Sequence, residues 1–390
     1  MCRHLPKPSF DFLIKKGAVL ASITAEKVDL AVVPHGVLPV PAMGEDPGTV
    51  EIEEKIELLA GIEKAARLPG IKSSRATYSE KSEKITFFDS GGNEFEYSVC
   101  RSGYTVLAVA SRNGSVQMGY ETDHSILGLN LRHKEGMGKE AAERAIALLD
   151  AGAAKGGTMN AVLDPELAGV FAHEAVGHAS EGDAVLEGSS VLAGMVGKRI
   201  GSDILTITDD PTLPEFGFEP VDAEGSAVRR TEIIRNGKVN SYLHNRETLA
   251  ALGQGDAGHA RAMIGDPPIV RMSNTFIENG DASMEEILEG CREGILMKGS
   301  RGGQVDPGRG VFLFNAEYGY LVERGETTKM VRDVSLSGEI LKTLHNIGLA
   351  GKDRKMHQGF CGKGGQTVPV GDGSPHILLY DAVVGGSGSD

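Results

Sequence analysis

The spacing of two histidines is the feature that most limits how this chain can fold. His173 and Glu174 are followed by His178, which gives the pattern H-E-x-x-x-H. The common zinc-binding pattern, H-E-x-x-H, places both histidines on one face of a helix. Each helical residue turns by about 100°, so positions five apart point about 140° apart. A regular helix therefore cannot direct both of these side chains at one ion.

A widened helix can accommodate the additional residue. A π-type turn takes up one extra residue and often marks a functional site. Gly177, directly before the second histidine, can adopt the backbone conformation that such a distortion needs. We therefore predict a distorted or broken helix near Gly177. A surface helix that only carries two histidines and a glutamate is the alternative, but the apolar neighbours of His173 and Glu174 favour burial, and buried polar groups need partners.

A zinc site requires a third protein ligand, and a catalytic one also keeps an open position. Three residues are candidates: Glu181, Asp183 and Cys361, the last within a glycine-rich segment where a thiolate could approach an ion closely. Each also has an ordinary structural explanation, as a cap or surface carboxylate or as a small buried thiol. Spacing alone does not choose among them.

Hydrophobic periodicity predicts an α+β fold. Residues 51–68 have the apolar spacing of a helix, whereas residues 73–121 alternate in short runs around turns such as Asn113-Gly114. We predict an antiparallel meander there. The expected organisation has three parts: an N-terminal segment and linker at 1–50, an N-terminal α/β domain with the meander at 51–155, and a C-terminal β-rich domain carrying the metal helix at 156–390.

Composition narrows the functional classes. The formal net charge of −14 argues against binding to nucleic acid or to an anionic membrane. The four cysteines form no C-x-x-C pair, which favours a reducing compartment over a disulfide framework. No apolar run approaches the length of a membrane span, and the N-terminus lacks an apolar signal core. We predict a cytoplasmic protein.

Several segments, in one order, resemble the TldD/PmbA family of metallopeptidases on its TldD side. These segments are H-E-A-V-G-H at 173–178 with E-G-D at 181–183, R-M-S-N-T-F at 271–276, and F-C-G-K-G-G-Q at 360–366. The resemblance covers roughly residues 51–386. Residues 1–35 match poorly, so we expect a shorter N-terminal segment than is usual in the family.

This resemblance implies one zinc ion per chain, bound by His173, His178 and Cys361, with Glu174 as the catalytic base. It also implies a barrel-like C-terminal domain of mostly β structure. The expected assembly is a homodimer, or a heterodimer with a related chain that lacks the metal motif. The expected substrates are unfolded or modified peptides, which makes the predicted function that of a zinc-dependent peptidase.

Two glycine-rich loops, 253–259 and 362–365, are candidates to line a peptide cleft, with His259, Gly362 and Gly364 as possible substrate-binding residues. Ordinary turns are the alternative. Other functions also stay open at this point: a metallohydrolase of the amidase type, a non-catalytic subunit of a heteromeric peptidase, or a structural zinc site. A narrow pocket would favour the first, missing ligands the second, and a closed four-ligand shell the third.

Overall fold

A computed structural model describes residues 15–19, 22 and 28–387. Part of the predicted N-terminal segment at 1–50 therefore lies outside the described residues. A short 3-10 turn at Pro47–Thr49 leads into the first long helix, and the Asp46 side chain caps this turn by accepting a hydrogen bond from the backbone N–H of Gly48.

The meander predicted for residues 73–121 is confirmed. Its elements, with the flanking helices, are α1 (Ile52–Ala65), β1 (Ile71–Phe88), β2 (Glu94–Arg112), β3 (Ser115–Ser125) and α2 (Glu135–Asp150). The strands form an antiparallel sheet in the order β1-β2-β3. Asn113 and Gly114 have φ angles of 51° and 83°, the left-handed conformation that a two-residue hairpin turn needs. Helices α1 and α2 share one apolar core with this sheet.

The remaining residues form a larger sheet of ten strands, a smaller sheet of six strands, a two-stranded ribbon and several short helices. In chain order the elements are β4 (Gly152–Ala153), β5 (Gly157–Leu163), α3 (Pro165–Phe171), α4 (Gly182–Leu186), β6 (Ile207–Asp209), β7 (Thr231–Arg235), β8 (Lys238–Val239), α5 (Arg246–Leu252), β9 (Ala260–Arg261), β10 (Ile269–Val270), β11 (Asn274–Ile277), α6 (Met284–Cys291), β12 (Glu293–Lys298), β13 (Gly303–Asp306), β14 (Val311–Asn315), β15 (Tyr318–Glu323), β16 (Glu326–Arg332), β17 (Ser335–Glu339), α7 (Ile340–His345), β18 (Ile347–Ala350), β19 (Lys355–Lys363), β20 (Gln366–Ser374) and β21 (Ile377–Gly385).

The larger sheet confirms the predicted α+β class. Its strand order is β13-β14-β17-β21-β5-β12-β15-β16-β4, with β18 paired to β21. Within the described residues its end strands, β13 and β4, do not pair with each other, so the sheet is open. The C-terminal domain, which the resemblance predicted to be barrel-like, is therefore not a closed barrel. Strand β4 lies before the predicted domain boundary at 155–156, yet it pairs with β16 of this sheet.

The smaller sheet has the order β19-β20-β11-β6-β7-β8, which leaves β19 at an edge. Helix α3 is buried where it contacts β19, β20 and β12 of the two sheets. Asp164 caps this helix by accepting a hydrogen bond from the N–H of Leu167, and Pro165 occupies its first turn. The apolar surface of α3 thus fixes the chain that follows it. Among the described residues, none of the helices combines the length and apolar character needed to cross a membrane.

Candidate metal centre

The helix that carries the two histidines is distorted, as the sequence predicts. Helix α3 ends at Phe171, residues Ala172–Gly177 form a π-helical turn, and His178–Ser180 form a 3-10 turn. The wider turn absorbs the additional residue of the H-E-x-x-x-H pattern. The rings of His173 and His178 consequently lie with their centroids 5.4 Å apart and their planes at 89°.

Gly177 is required for space rather than for an unusual backbone conformation. Its φ and ψ angles are −56° and −58°, which any L-residue can adopt. A Cβ atom built on Gly177 would lie 1.9 Å from the Sδ atom of buried Met272. The glycine therefore lets the π-helical turn pack closely against the segment that begins at Arg271.

Three donor atoms converge at this turn. The ligand atoms of His173, His178 and Cys361 all lie within 4.8 Å of one another. Cys361 comes from the edge strand β19, and its Sγ is 3.3 Å from Nε2 of His178. His173 and Cys361 are buried, at 3% and 4% exposure. Two imidazoles and one thiolate form a donor set that is typical of zinc.

The ionisation of Cys361 suits a metal ligand. Burial disfavours its thiolate, but hydrogen bonds with His173 and His178 outweigh that effect and lower the pKa of Cys361 to about 4. The thiolate is the form that binds metal. Nδ1 of His173 is buried and has no hydrogen-bond partner among the described residues. The residues present therefore fit a zinc ion.

Glu174 lies at the more accessible side of this group. Its Oε2 atom is 3.8 Å from Nε2 of His178, and its side chain is 33% exposed. The π-helical turn thus places a carboxylate beside the donor atoms without burying it. A carboxylate in this position can exchange protons with a water molecule or a substrate that reaches the donor atoms.

The two alternative ligands, Glu181 and Asp183, are not part of the group of three converging donor atoms. Oε2 of Glu181 accepts a hydrogen bond from Nδ1 of His178 at 3.0 Å. Both carboxylate oxygens of Asp183 accept from Nζ of Lys363, at 2.7 and 2.8 Å. Lys363 also lies 3.1 Å from Oε2 of Glu181. These residues therefore surround the donor set rather than extend it.

Lys363 and Arg271 are positioning residues that the sequence reasoning missed. Lys363 lies two residues after Cys361 on β19, so both side chains point to the same face of the strand. Arg271 is fully buried and donates hydrogen bonds to the carbonyl oxygens of Cys361 and Gln366. The position of Lys363 could have been found from the sequence, because it is a basic residue two positions after Cys361 on a strand. Nothing in the residue spacing indicated that Arg271 contacts Cys361.

The three predicted substrate-binding residues differ in how exposed they are to solvent. The His259 side chain is only 1% exposed, and its Nε2 lies 3.7 Å from Oδ2 of buried Asp209. A peptide cannot reach that ring in this structure. Gly362 and Gly364 are exposed near the β19–β20 turn, just beyond Cys361. A substrate contact at these two glycines remains a prediction.

Comparison with known proteins assigns the chain to a family. Residues 156–386 match the model described as the PmbA/TldA metallopeptidase C-terminal domain, and residues 45–149 match the model of the central domain. The chain belongs to the PmbA/TldD family of metallopeptidases. This assignment confirms the resemblance drawn from the sequence segments.

Relatives in this family carry metalloprotease names. A metalloprotease of Methanothermobacter thermautotrophicus is 42% identical over 87% of this chain and 76% of its own length. A metalloprotease of Archaeoglobus fulgidus is 45% identical over 88% of this chain and 80% of its own length. A protein named zinc metalloprotease TldD homolog, from Saccharolobus solfataricus, is 35% identical over 82% and 72% of the two chains.

Solved structures show the same fold. A Thermotoga maritima protein, solved as a candidate modulator of a DNA gyrase, superposes with a TM-score of 0.79 at 22% identity, covering 95% of this chain and 82% of that one. TldE from Thermococcus kodakarensis superposes with a TM-score of 0.75 at 18% identity, covering 98% and 86%. At these identities the likeness concerns the PmbA/TldD fold alone.

Proposed function

We propose that this protein is a zinc-dependent peptidase that hydrolyses unfolded or modified peptides. The observation that carries the proposal is the convergence of His173, His178 and Cys361, with the accessible carboxylate of Glu174 beside them. A site built only to stabilise the fold has no need of an accessible carboxylate next to its donor atoms. The metalloprotease names of the relatives support the same reaction class.

Each residue of the site has a distinct part in hydrolysis. Bound zinc supplies Lewis acidity, which polarises the peptide carbonyl and acidifies water. Glu174 accepts the proton of the attacking water and donates it to the leaving amine. Glu181 holds the ring of His178 by accepting its Nδ1–H, so that Nε2 faces the donor group. Arg271 fixes the backbone of Cys361.

The edge strand β19 provides a route for peptide binding. This strand lies at the edge of the smaller sheet and carries Cys361. An extended peptide that pairs with the edge of β19 would therefore run past the metal ligands. Strand addition uses main-chain hydrogen bonds and depends little on side chains. Within the described residues, a Cβ atom built on Gly359 or Gly362 meets nothing within 4 Å, so the faces of the strand are open at these two positions. Gly362 and Gly364 would line the same route.

The proposal includes dimer formation, with a second copy or with a related chain lacking the metal motif, and a cytoplasmic location. The likeness of fold to a TldE structure is compatible with such pairing. The free thiols of Cys100, Cys291 and Cys361 suit a reducing compartment. Light scattering of the purified chain, alone and with a co-expressed related chain, tests the assembly.

The test of the proposed activity compares wild type with Glu174→Gln. Bound metal is measured by mass spectrometry, and cleavage is followed with labelled unfolded peptides. We expect about one zinc per chain in both proteins, and a rate at least ~100-fold lower in Glu174→Gln because the base is lost. Glu187→Gln, which changes an exposed acid near α4, serves as the matched control. Full activity of Glu174→Gln would refute the role of the base, and a wild-type enzyme that is active without metal would refute the zinc mechanism.

A further inference from the structure

A second site lies between the meander and the larger sheet. It is a cavity of about 240 Å³, lined from one side by residues of β3 and α2 and from the other by residues of α3, β12, β15 and β19. Its ionisable lining comprises four acids (Glu121, Asp164, Glu166 and Glu317), two bases (Arg144 and Lys298) and His357. None of these residues belongs to the metal centre, so the cavity needs its own explanation.

Carboxylates outnumber cations in this cavity. The cations are Arg144, whose single charge is shared between Glu121 and Glu317, and Lys298, for which no ion pair is found among the described residues. Glu166 accepts a hydrogen bond from the backbone N–H of Ser300 at 3.2 Å. It has no cationic partner in the part of the chain that the structure describes. The lining thus has four carboxyl groups and two basic groups, an excess of acidic over basic side chains.

Several buried polar atoms around the cavity lack partners. Glu317 is only 4% exposed, and its Oε1 has no hydrogen-bond partner among the described residues, although Oε2 accepts from Arg144. Nδ1 of His357 is also buried and has no hydrogen-bond partner among the described residues. Unpaired buried acceptors are costly, and a ligand that brings hydrogen-bond donors relieves that cost.

The electrostatics of Glu166 agree with this description. Burial raises its pKa to about 8, and the charges of Asp164, Asp372 and Glu317 act in the same direction. Burial disfavours any charge, whereas the neighbouring acidic groups disfavour only a further negative charge and attract a positively charged ligand. The charge surplus is therefore a property of the whole lining and not of one side chain.

The cavity also lies at a defined distance from the metal centre. His357 and Cys361 are four residues apart on β19, hence on the same face and about 13 Å apart along the strand. Glu166 precedes His173 by seven residues, about 10 Å along a helix. An extended peptide covers either distance with three or four residues.

We propose that this cavity binds a positively charged group of the peptide substrate, either its N-terminal ammonium or a lysine or arginine side chain, three or four residues from the bond cleaved at the metal centre. This inference rests on the proposed peptidase function. The edge of β19 holds the peptide backbone, and the cavity selects for charge. The substrates are then peptides with a cationic group at a fixed distance from the scissile bond.

The test measures binding rather than cleavage, so that the two proposals can fail separately. Zinc-loaded Glu174→Gln protein is titrated with peptides of one sequence that carry a C-terminal fluorophore. Three peptides are compared. The first has a free amino terminus, the second has an acetylated amino terminus, and the third is the acetylated peptide with arginine in place of norleucine at the fourth residue. We expect at least one cationic peptide to bind about 10-fold more tightly than its neutral match, because only a charged group can form an ion pair with the carboxylates of the cavity; this difference corresponds to about 1.4 kcal/mol.

Two acid-to-amide variants locate the effect. We expect Glu174→Gln/Glu166→Gln to lose the preference for charge while its affinity for the acetylated norleucine peptide stays unchanged. Glu166 has no ion pair among the described residues, so this variant should fold; Glu317→Gln provides a second probe whose melting curve is recorded first. Glu323→Gln, an exposed acid on β15 outside the cavity, is the control and should keep the preference.

The outcomes separate the two proposals. Equal binding of charged and neutral peptides overturns the cavity proposal even where wild type cleaves both. An equal loss of affinity for charged and neutral peptides in the Glu166→Gln background also overturns it. Preserved charge preference without any cleavage by wild type leaves the cavity proposal standing and refutes the peptidase function.

Discussion

Oε2 of Glu181 lies 3.0 Å from Nδ1 of His178 and accepts its hydrogen bond. This contact fixes the tautomer, since Nδ1 keeps the proton and Nε2, 3.3 Å from the Sγ of Cys361, is left to bind metal. Glu181 is 1% exposed, and Lys363 approaches the same oxygen to 3.1 Å. The carboxylate is thus held rigidly on the far side of the ring from the donor group.

We expect Glu181→Gln to weaken zinc binding without abolishing it. The amide cannot match the carboxylate as an acceptor, so the ring becomes a poorer and less well oriented ligand. Replacing such partners of metal ligands typically costs 10–100-fold in affinity. Competition with a chromogenic chelator measures the zinc dissociation constant directly and does not depend on catalysis.

Glu187→Gln is the control for this measurement, since Glu187 is exposed and, among the described residues, no hydrogen bond or ion pair links it to His178. Circular dichroism of each variant shows whether the fold is retained. A zinc affinity of Glu181→Gln equal to that of wild type would mean that His178 is positioned without its partner, and the argument from the 3.0 Å contact would fail.

Gly177→Ala should destabilise the protein through a clash. The added methyl would lie 1.9 Å from Sδ of Met272, so this fully buried side chain has to shift within the core to make room. Overpacking of this kind costs about 1–3 kcal/mol. Urea denaturation of the wild type and the variant measures the change in unfolding free energy.

A double-mutant cycle identifies the cause. Truncating the neighbour in Gly177→Ala/Met272→Ala removes the clash, so the double variant should be more stable than the sum of the single effects predicts. Gly136→Ala is the matched control: Gly136 lies in α2, and a Cβ there meets nothing within 4 Å. Strict additivity at positions 177 and 272 would contradict the steric explanation.

The distorted helix could be predicted because its cause is local. Counting residues between His173 and His178 excludes a regular helix, and one π-helical turn restores convergence. The hairpin at Asn113-Gly114 was equally accessible, since both residues adopt the left-handed conformation that their types favour. In each case neighbouring residues alone determine the backbone.

The cavity and the ligand environment could not be predicted in this way. The cavity joins Glu121 on β3 to Glu166 at the start of α3 and to Glu317 beside β15, and no periodicity connects them. The choice of Cys361 over Glu181 depends on where β19 passes the π-helical turn, which is a long-range property of the sheet order. The resemblance supplied that ligand, whereas spacing left it open.

Metal removal should lower the thermal stability of wild type. Ligands that bind only the folded state stabilise it, by about 4 kcal/mol when free metal exceeds its Kd 1,000-fold. We therefore expect chelation by EDTA to lower Tm by several degrees. Cys361→Ser lacks the thiolate ligand, so its Tm should change far less on addition of EDTA.

Cys291→Ser is the matched control for this experiment. Cys291 is also a buried free thiol, but it lies in a separate apolar cluster with Ile287 and Leu296. Its Tm should therefore fall with EDTA as that of wild type does. An EDTA response in Cys361→Ser as large as in wild type would show that the metal has another ligand set.

Glu166 should make stability depend on pH. Burial, reinforced by the charges of Asp164, Asp372 and Glu317, raises its pKa to about 8 from the ordinary value of 4.5, which it regains on unfolding. Between these values the folded state binds more protons than the unfolded state, so the unfolding free energy falls as pH rises from about 4.5 to about 8. A tenfold change in proton affinity corresponds to about 1.4 kcal/mol, which makes the slope measurable.

In Glu166→Gln this slope should flatten and stability at pH ~9 should exceed that of wild type, whereas Glu323→Gln keeps the wild-type profile. Urea denaturation across this pH range decides the point: parallel profiles for Glu166→Gln and wild type would show that Glu166 is already ionised in the folded protein.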